Sequence, residues 1–461
     1  MAGHLFSLLP QDVPKIETKF RSIQTPIPAP GTAEVFERLE KVESRSMHGQ
    51  LPLVWDKAEN FSVYDIAGNR WIDFTSTIFV ANVGHSNSRV GSAIQKTLEH
   101  PLYSCYAYAN PVRAEYLERL LRFAGHPFEK AFLLSAGTEA TEATLKLMRM
   151  YGQKVNKRRL GIICIENNWH GRTLGSQMMS GNIAQRAWIG YQDHDIHHIP
   201  FPYPWSLGQL SGEEFLMRGL QELEARGVDL EQDICGFMLE TFQGWGAIFY
   251  PDDFVQAIEK LCRNHRILLA FDEMQSGFCR TGRRFGFEHY QVVPDLIACG
   301  KGMGGGIPLS GVLGRREILD LPEVGNMSST HSANPLVCAA GLAVLEEIER
   351  LNLIDETSRK GNLLFDALYK LQNKYSDRIS HVLGKGLIAA VLFKNPTTEM
   401  PDSSFTSRVA ECCMQKGLLV VHTGRESIKI GPPLTITDEA LWEGISVLEE
   451  AIIEISQEMV R

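Results

Sequence analysis

The sequence predicts an α/β fold in which a large central domain is joined by a smaller α+β domain. Short apolar runs alternate with helical stretches from about residue 130, both chain ends carry a mixed pattern, and 461 residues exceed one ordinary domain. We expect a mostly parallel central sheet with helices on both faces. The predicted boundaries are 1–80 for an N-terminal arm and part of the small domain, 81–345 for the large domain, and 346–461 for the C-terminal part of the small domain.

The composition limits the functional classes. The chain is 44% hydrophobic and 22% charged with a net charge of −9, and it has no long basic run, which argues against nucleic acid as a partner. No apolar stretch approaches the roughly 20 residues that span a bilayer, and the N-terminus lacks the charged and apolar regions of a signal peptide. Nine cysteines without CxxC spacing indicate reduced thiols rather than a disulfide framework or a metal site. We therefore expect a cytoplasmic protein without a membrane anchor.

The individual elements follow in chain order. "AEVFERLEKV" predicts a helix, and "FSVYDIAGNRWIDF" alternates around "AGN" as a hairpin does. The central strands are predicted at "KAFLLS", "LGIICIE", "ICGFMLE", "ILLAFDE", "LIACGK" and "LSGVLG", with helices at "EATEATLKLMRMY" and "DDFVQAIEKLCRNH". A long helix follows Asn334. The last hundred residues return to strands at "GLIAAVLF", "GLLVV" and "SIKIG" and end in a helix from about Asp438.

The residues after the central strands are candidates for a binding site, because open parallel sheets bind ligands beyond the carboxyl ends of their strands. The small residues from Ser135 to Glu139 follow one strand and begin a helix, which suits either an anion site or an ordinary helix cap. Trp169 and His170 follow the next strand, where an aromatic ring could stack on a flat ligand or simply pack.

Two carboxylates end apolar strands, Glu240 and Asp272. Burial of an unpaired charge is costly, so each needs a partner. For Asp272 the structural alternative is an arginine such as Arg280 or Arg283, and the functional alternative is a protonated ring nitrogen.

A single lysine, Lys301, lies in a stretch where five of the seven residues from Gly300 to Gly306 are glycine. Glycines let a bulky ligand approach the backbone, and a lysine with a lowered pKa forms Schiff bases with carbonyls. An anion cradle, a flat stacking group, a carboxylate and this lysine together match the phosphate, ring, ring nitrogen and aldehyde of pyridoxal phosphate. A dinucleotide fingerprint is the competing interpretation of these glycines, and it is disfavoured because a strand and not a helix is predicted after them.

These motifs resemble class III pyridoxal-phosphate aminotransferases of fold type I, the group that contains ornithine and 4-aminobutyrate aminotransferases. The resemblance runs from about Glu34 to the C-terminus and includes "LLSAGTEATEATLKLMR", "NNWHGRT", "FDEMQSGFCRTG", "PDLIACGKGMGGGIPLSGV" and "STHSANPLVCAAG". It implies that Lys301 carries the cofactor and that Asp272 binds its ring nitrogen. The other implied cofactor residues are Gly137 and Thr138 in the phosphate cradle, Trp169 and His170 in the stacking motif, Met274 against the opposite ring face, Gln275 at the 3′-oxygen, and Thr330.

The resemblance also implies a homodimer, in which Thr330 reaches the phosphate in the neighbouring subunit. Three positions depart from the family pattern: Met274 replaces a usual valine, the residues from His331 to Ala333 replace Phe-Gly-Gly, and Lys429 replaces an arginine that grips a substrate carboxylate. Glu240 matches the glutamate that shields this arginine. A solvated strand lysine is the alternative for Lys429. Further candidates for substrate contacts are Ile78, Phe79 and Tyr108, for which simple packing is the alternative.

The resulting interpretation is a transaminase (EC 2.6.1.-). It would move an amino group between an amine, namely an ω-amine, an amino acid or an amino sugar-like compound, and a keto acid or aldehyde, by a ping-pong mechanism in which Lys301 transfers the proton. An aminomutase or an amino-acid racemase would share every cofactor residue and is the alternative. A binding protein that merely kept the fold would not need the pair of Asp272 and Lys301.

Overall fold

The computed structural model describes residues 4–47, 49–100 and 102–459. The chain divides into two compact units. The central unit comprises Ser88–Gly244 and Ile248–Ile354, and the terminal unit comprises the chain up to Asn87, Trp245–Ala247 and the chain from Asp355 onward. Residues 1–3 and 460–461, at the outer ends of the predicted first and last segments, lie outside the described residues.

The strands are numbered in chain order. They are β1 (Ile16–Glu17), β2 (Ser22–Ile23), β3 (Trp55–Glu59), β4 (Ser62–Asp65), β5 (Arg70–Asp73), β6 (Lys130–Leu134), β7 (Gly161–Ile165), β8 (Ile196–Ile199), β9 (Ile234–Glu240), β10 (Phe242–Gln243), β11 (Ile248–Phe249), β12 (Leu268–Asp272), β13 (Leu296–Cys299), β14 (Ser310–Gly314), β15 (Ile379–Lys385), β16 (Ile388–Phe393), β17 (Leu418–Leu419), β18 (Val421–His422) and β19 (Ser427–Ile430).

The helices are numbered in the same way. They are α1 (Thr32–Val42), α2 (Ser76–Phe79), α3 (Ser88–Glu99), α4 (Pro111–Ala124), α5 (Gly137–Lys154), α6 (Leu174–Met179), α7 (Ile183–Arg186), α8 (Gly212–Ala225), α9 (Leu230–Asp233), α10 (Asp252–Asn264), α11 (Arg316–Leu319), α12 (Pro335–Arg350), α13 (Leu353–Lys374), α14 (Ser403–Gln415) and α15 (Asp438–Glu458). Within the described chain, no helix is long and apolar enough to span a lipid bilayer.

The central unit contains a seven-stranded sheet in the order β6-β14-β13-β12-β9-β7-β8. Its strands run parallel except β14, which is antiparallel to both of its neighbours. The predicted mostly parallel α/β sheet is therefore confirmed. Because six strands share one direction, their carboxyl ends meet at one edge, and the segments after β6, β7, β9, β12 and β13 all begin there.

The middle strands of this sheet are buried along their whole length and are apolar except for Glu240 and Asp272, which end β9 and β12. All residues of β7, β9, β12 and β13 are buried, which is typical of parallel sheets inside α/β proteins. Helix α5 contributes to a buried hydrophobic cluster beside the sheet, which includes Met148, Ile162, Met238 and Ala298. A closely packed core of this kind holds the strand ends in fixed positions.

Capping residues fix where the predicted helices begin. The side chain of Asn334 accepts a hydrogen bond from the backbone N–H of Val337 at 3.0 Å, and Pro335 occupies the first turn of α12, where its missing N–H costs nothing. Helix α15 begins in the same way after Thr437, whose hydroxyl accepts from Ala440 N–H. Both helices were predicted, and both start within a residue of the predicted position.

The terminal unit combines strands from both parts of its chain. The predicted hairpin is confirmed as β4 and β5, which pair antiparallel across a turn closed by the hydrogen bond from Gly68 N to Asp65 O. In the same sheet, β17 pairs with β5 in parallel. A second, antiparallel sheet has the order β15-β16-β19-β18, of which β15 was not predicted.

Candidate active site

The turn from β6 into α5 leaves backbone donors without a partner. Glu139 Oε2 accepts the N–H groups of Ser135 and Ala136, both at 2.9 Å, and so secures the turn before the helix. The next two amides, those of Gly137 and Thr138, have no hydrogen-bond acceptor within the described residues. Unpaired N–H groups at the positive end of an 18-residue helix can bind an anion. Because the first amides of every helix are unpaired, they are equally compatible with an ordinary helix cap.

The loop after β7 lies directly against this turn. Gly171 has a φ of 140°, and a Cβ atom at this position would lie 2.3 Å from Thr138 Oγ1. Only glycine allows both the backbone conformation and the close approach. The Thr138 hydroxyl also lies 2.7 Å from that of Thr173. The "HGRT" motif therefore joins the stacking loop to the anion cradle.

The backbone of His170 is held from both sides, while Trp169 is half-buried. His170 N–H donates to Ser180 Oγ at 2.8 Å, and its carbonyl accepts from Thr141 Oγ1 at 2.7 Å. The guanidinium carbon of Arg172 lies 4.5 Å from the centre of the Trp169 ring. Sequence reasoning missed Thr141, inside α5, and Ser180, directly after α6, because a small polar residue in or next to a helix gives no signal in a single sequence.

Asp272 ends β12 and is almost fully buried. Its Oδ2 atom lies 2.9 Å from His170 Nδ1, and its Oδ1 atom accepts the N–H of Met274 at 3.0 Å. Within the described residues, the ion-pair partner of Asp272 is thus a histidine, not Arg280 or Arg283 as the structural alternative required. The other ring nitrogen of His170, Nε2, is buried and has no partner among the described residues.

Lys301 follows β13 after one glycine and begins a short 3-10 helix, Lys301–Met303. Desolvation lowers the pKa of Lys301, and the carboxyl groups of Asp272 and Glu240 partly oppose this shift. The lysine and both carboxylates are therefore close enough to interact electrostatically. A lysine with a lowered pKa has a larger neutral fraction, which is the form that attacks carbonyl carbons.

Met274 and Gln275 lie among these groups. A Cβ atom on Gly137 would lie 2.9 Å from Met274 Sδ, and one on Gly300 would lie 2.5 Å from it, so this side chain fills the space between the cradle and the lysine turn. Gln275 Nε2 donates to Glu240 Oε1 at 3.3 Å. The structure thus brings together the predicted cofactor residues that follow β6, β7, β12 and β13.

The remaining candidates of the central unit are exposed. Tyr108 has 80% of its surface exposed, and its carbonyl accepts a hydrogen bond from Arg113 at 2.8 Å. Thr330 is exposed in a turn before α12. Neither residue is held by the contacts that fix the strand ends.

The other three candidates belong to the terminal unit. Lys429 is 4% exposed in β19, which overturns the alternative of a solvated lysine, and its Nζ lies 4.5 Å from the centre of the buried Phe79 ring. Ile78 remains 39% exposed. Residues 76–79 all have positive φ values, which is strained for Thr77 and Ile78 because their side chains branch at Cβ.

No metal is needed to explain these groups. Within residues 4–47, 49–100 and 102–459, no three His, Cys, Asp or Glu side chains are grouped so that they could hold a metal ion. The donors and acceptors fit pyridoxal phosphate: unpaired helix amides suit its phosphate, the buried carboxylate of Asp272 suits a protonated ring nitrogen, and Lys301 suits its aldehyde.

Comparisons with known proteins agree with this donor set. The family model for class-III aminotransferases matches residues 44–452. A probable 4-aminobutyrate aminotransferase of Bacillus subtilis is 34% identical over 409 residues, which cover 86% of this chain and 92% of that protein. A leucine/methionine racemase of Thermococcus litoralis is 33% identical, with 92% and 96% covered. A solved (S)-enantioselective omega-transaminase of Thermomicrobium roseum superposes with a TM-score of 0.83 at 26% identity, covering 93% of this chain and 99% of that one.

The chain belongs to the class-III aminotransferase family. It is a pyridoxal-phosphate-dependent transaminase, which acts on small-molecule amines and keto acids. The cofactor and the reaction type expected from the motifs are thereby confirmed.

Proposed function

We propose that the central unit is the cofactor-binding domain and that Lys301 is both the attachment point of the cofactor and the proton-transfer group. The observation that carries this proposal is the lowered pKa of Lys301 beside the buried carboxylate of Asp272. The N–H groups of Gly137 and Thr138 would bind the phosphate, and Trp169 would cover the ring.

The chain's own residues would divide the reaction between them. Pyridoxal phosphate, when bound, supplies an electron-withdrawing ring that stabilises negative charge at the substrate Cα. The neutral Lys301 amine would take the proton from the amine-bearing carbon of the donor and pass it to C4′ of the cofactor within the same half-reaction, and it would carry the proton in the opposite direction when the acceptor is aminated, as general base and acid. Asp272, oriented by His170, keeps the ring nitrogen charged. Met274 would exclude water between the cradle and the lysine turn.

For the substrates we propose an ω-amine or amino acid as donor, paired with a keto acid or aldehyde acceptor. The names of the relatives, a 4-aminobutyrate aminotransferase and an omega-transaminase, support a donor whose reacting amine is distant from any carboxylate. Lys429, at the position of the family's arginine, would bind the carboxylate of the keto acid. As a point charge without a bidentate fork, it would bind that carboxylate more weakly than arginine does. Ile78, Phe79 and Tyr108 would contact the substrate.

We also propose a homodimer in which Thr330 contacts the phosphate bound to the neighbouring subunit. Its exposure and its place in the family's motif support this assignment. A cytoplasmic location is supported by the nine free cysteines, eight of which are buried as reduced thiols.

The test compares wild type with Lys301→Ala and with Lys260→Ala, which removes an exposed lysine of the central unit. Each protein is reconstituted with pyridoxal phosphate, and the visible absorbance and the amine transfer to 2-oxoglutarate or pyruvate are measured. We expect Lys301→Ala to lose the band of the bound cofactor and to lose turnover by at least the roughly 10²–10⁴-fold of a positioned proton carrier, and Lys260→Ala to behave as wild type. Wild-type behaviour of Lys301→Ala would refute the assignment.

The racemase relative makes one alternative worth testing in the same experiment. An aminomutase or racemase would move the amino group or invert the Cα without net transfer to a keto acid. Inverted or rearranged amino acid in the absence of keto acid, with no amino group transferred when it is present, would replace the transaminase proposal.

A further inference from the structure

Glu240 occupies the position beside Asp272 at the carboxyl edge of the central sheet. The two residues are direct partners in the parallel register of β9 and β12, so their side chains share one face. Only 4% of the Glu240 surface is exposed. A carboxylate buried to this extent must be matched by donors, and the identity of these donors shows what it does.

Three donors from three different segments meet on this carboxylate. Glu240 Oε2 accepts the backbone N–H of Trp169 at 2.9 Å and that of Gly244 at 3.3 Å, and Oε1 accepts the side-chain amide of Gln275 at 3.3 Å. The donors follow β7, β10 and β12 respectively. One side chain therefore connects the loop that carries the stacking residue to the loop that carries the residue assigned to the 3′-oxygen.

We propose that Glu240 is a positioning residue whose carboxylate fixes the Trp169 backbone and the Gln275 amide on either side of the cofactor ring. This rests on the proposed function, because it assumes that Trp169 and Gln275 contact that ring. It differs from the substrate-exchange role that the resemblance implies for Glu240. A carboxylate that holds two backbone N–H groups stays in place through both half-reactions, whereas an exchanging carboxylate moves in one of them.

The contacts that Glu240 makes should depend on pH, because they require its carboxylate to be charged. Burial raises the pKa of Glu240 to about 7; His170 opposes the rise, Asp272 adds to it, and the N–H groups of Trp169 and Gly244 oppose it. The other titratable groups that face it are Lys301 and Tyr250. All three hydrogen-bond partners are donors, so protonation of the carboxyl group removes acceptor capacity and loosens at least one of the three contacts.

The experiment uses the holoenzyme of wild type, Glu240→Gln, Glu240→Asp and the control Glu166→Gln, which changes an exposed glutamate just after β7. The visible absorbance of the bound cofactor is titrated from pH 5 to pH 9, its dissociation constant is measured on the apoproteins, and each half-reaction is followed separately. Urea midpoints verify that each variant is folded.

We expect Glu240→Gln to lose the absorbance transition near neutral pH, to bind the cofactor about tenfold more weakly, and to slow both half-reactions by similar factors, since its amide presents a donor to a set of donors. Glu240→Asp keeps a carboxylate and should keep a transition, with a smaller loss of affinity. Glu166→Gln should match wild type.

Two results would overturn the proposal. The first is a wild-type dissociation constant and pH titration in both Glu240 variants. The second is a loss confined to one half-reaction, which would establish the substrate-exchange role instead. Failure of the proposed function would give a different result from failure of the Glu240 proposal. The absorbance band of the bound cofactor would then survive in Lys301→Ala, both with Glu240 and with its substitutions.

Discussion

Replacement of Gly171 by alanine tests the junction between the stacking loop and the anion cradle. Two costs can be worked out from the structure. An alanine held at a φ of 140° is strained by about 1–3 kcal/mol. Its Cβ atom would also lie 2.3 Å from Thr138 Oγ1 and 2.8 Å from Thr138 Cβ, an overlap that typically costs about 1–3 kcal/mol in a packed interior. Together these costs predict a loss of about 2–6 kcal/mol in the free energy of unfolding.

Gly190→Ala is the matched control. Gly190 also lies in the central unit and has a positive φ of 76°, but a Cβ atom there would meet nothing within 4 Å. Its expected cost is the backbone term alone, about 1–2 kcal/mol. The difference between the two variants therefore contains the overlap with Thr138 together with the less favourable φ of Gly171.

That overlap should also weaken cofactor binding, because Thr138 supplies one of the cradle amides. Loss of one charge-assisted hydrogen bond, about 1.5–3 kcal/mol, corresponds to a dissociation constant raised roughly 10- to 100-fold. Urea unfolding of the apoproteins measures the first effect, and titration of each apoprotein with pyridoxal phosphate measures the second. The reasoning is refuted if Gly171→Ala has the same free energy of unfolding as Gly190→Ala and binds the cofactor with the affinity of wild type.

Four further substitutions, at three positions, test other parts of the chain. Asp272→Asn can still accept from His170 but loses its charge, so kcat should fall by roughly 10²-fold or more while cofactor affinity changes less; equal kcat would assign Asp272 a structural role. Lys429→Ala should raise KM for glutamate or 2-oxoglutarate roughly 10-fold, Lys429→Arg should lower it, and the KM of an amine without a carboxylate should hardly change; if neither half-reaction responds, carboxylate binding lies elsewhere. Burial raises the pKa of Glu273 to about 7 in the folded protein, so its contribution to stability is largest below the unfolded pKa and is lost as pH rises through 7. The difference in urea midpoint between wild type and Glu273→Gln should therefore shrink between pH 4.5 and pH 7.5, and a difference that grows would contradict this sign.

The sequence predicted most of the central sheet because its strands are short apolar runs bounded by polar or small residues. It did not predict that β14 runs antiparallel, since strand direction depends on how the turn after Lys301 returns to the sheet and not on the strand's own residues. Strand β15 was missed because "ISHVLGK" is only partly buried and mixes polar residues into the run.

Some residues of the candidate site could likewise be predicted from the sequence, and others could not. Side chains at strand ends, such as Asp272 and Lys301, could be found because a charged group after an apolar strand stands out. The hydrogen-bond partners of Asp272 and Glu240 could not be found from the sequence. A contact with His170 or with the backbone of Trp169 depends on how loops from separate strands meet. The burial of Lys429 was likewise invisible, because lysine is mostly exposed in proteins.

The antiparallel strand β14 also determines when the site can form during synthesis. Strand β6 ends at Leu134 and is the edge of the sheet, and the neighbour it pairs with begins only at Ser310. Closing so long a loop carries an entropic cost that is met only when the late strand arrives. When a nascent chain has left the ribosome as far as β13, Lys301 is still inside the exit tunnel. Strand β6, which precedes the anion cradle, then has no partner, because it pairs with β14. We therefore expect the cofactor to bind only after β14 has been synthesised, and a chain truncated before Gly314 should bind no pyridoxal phosphate.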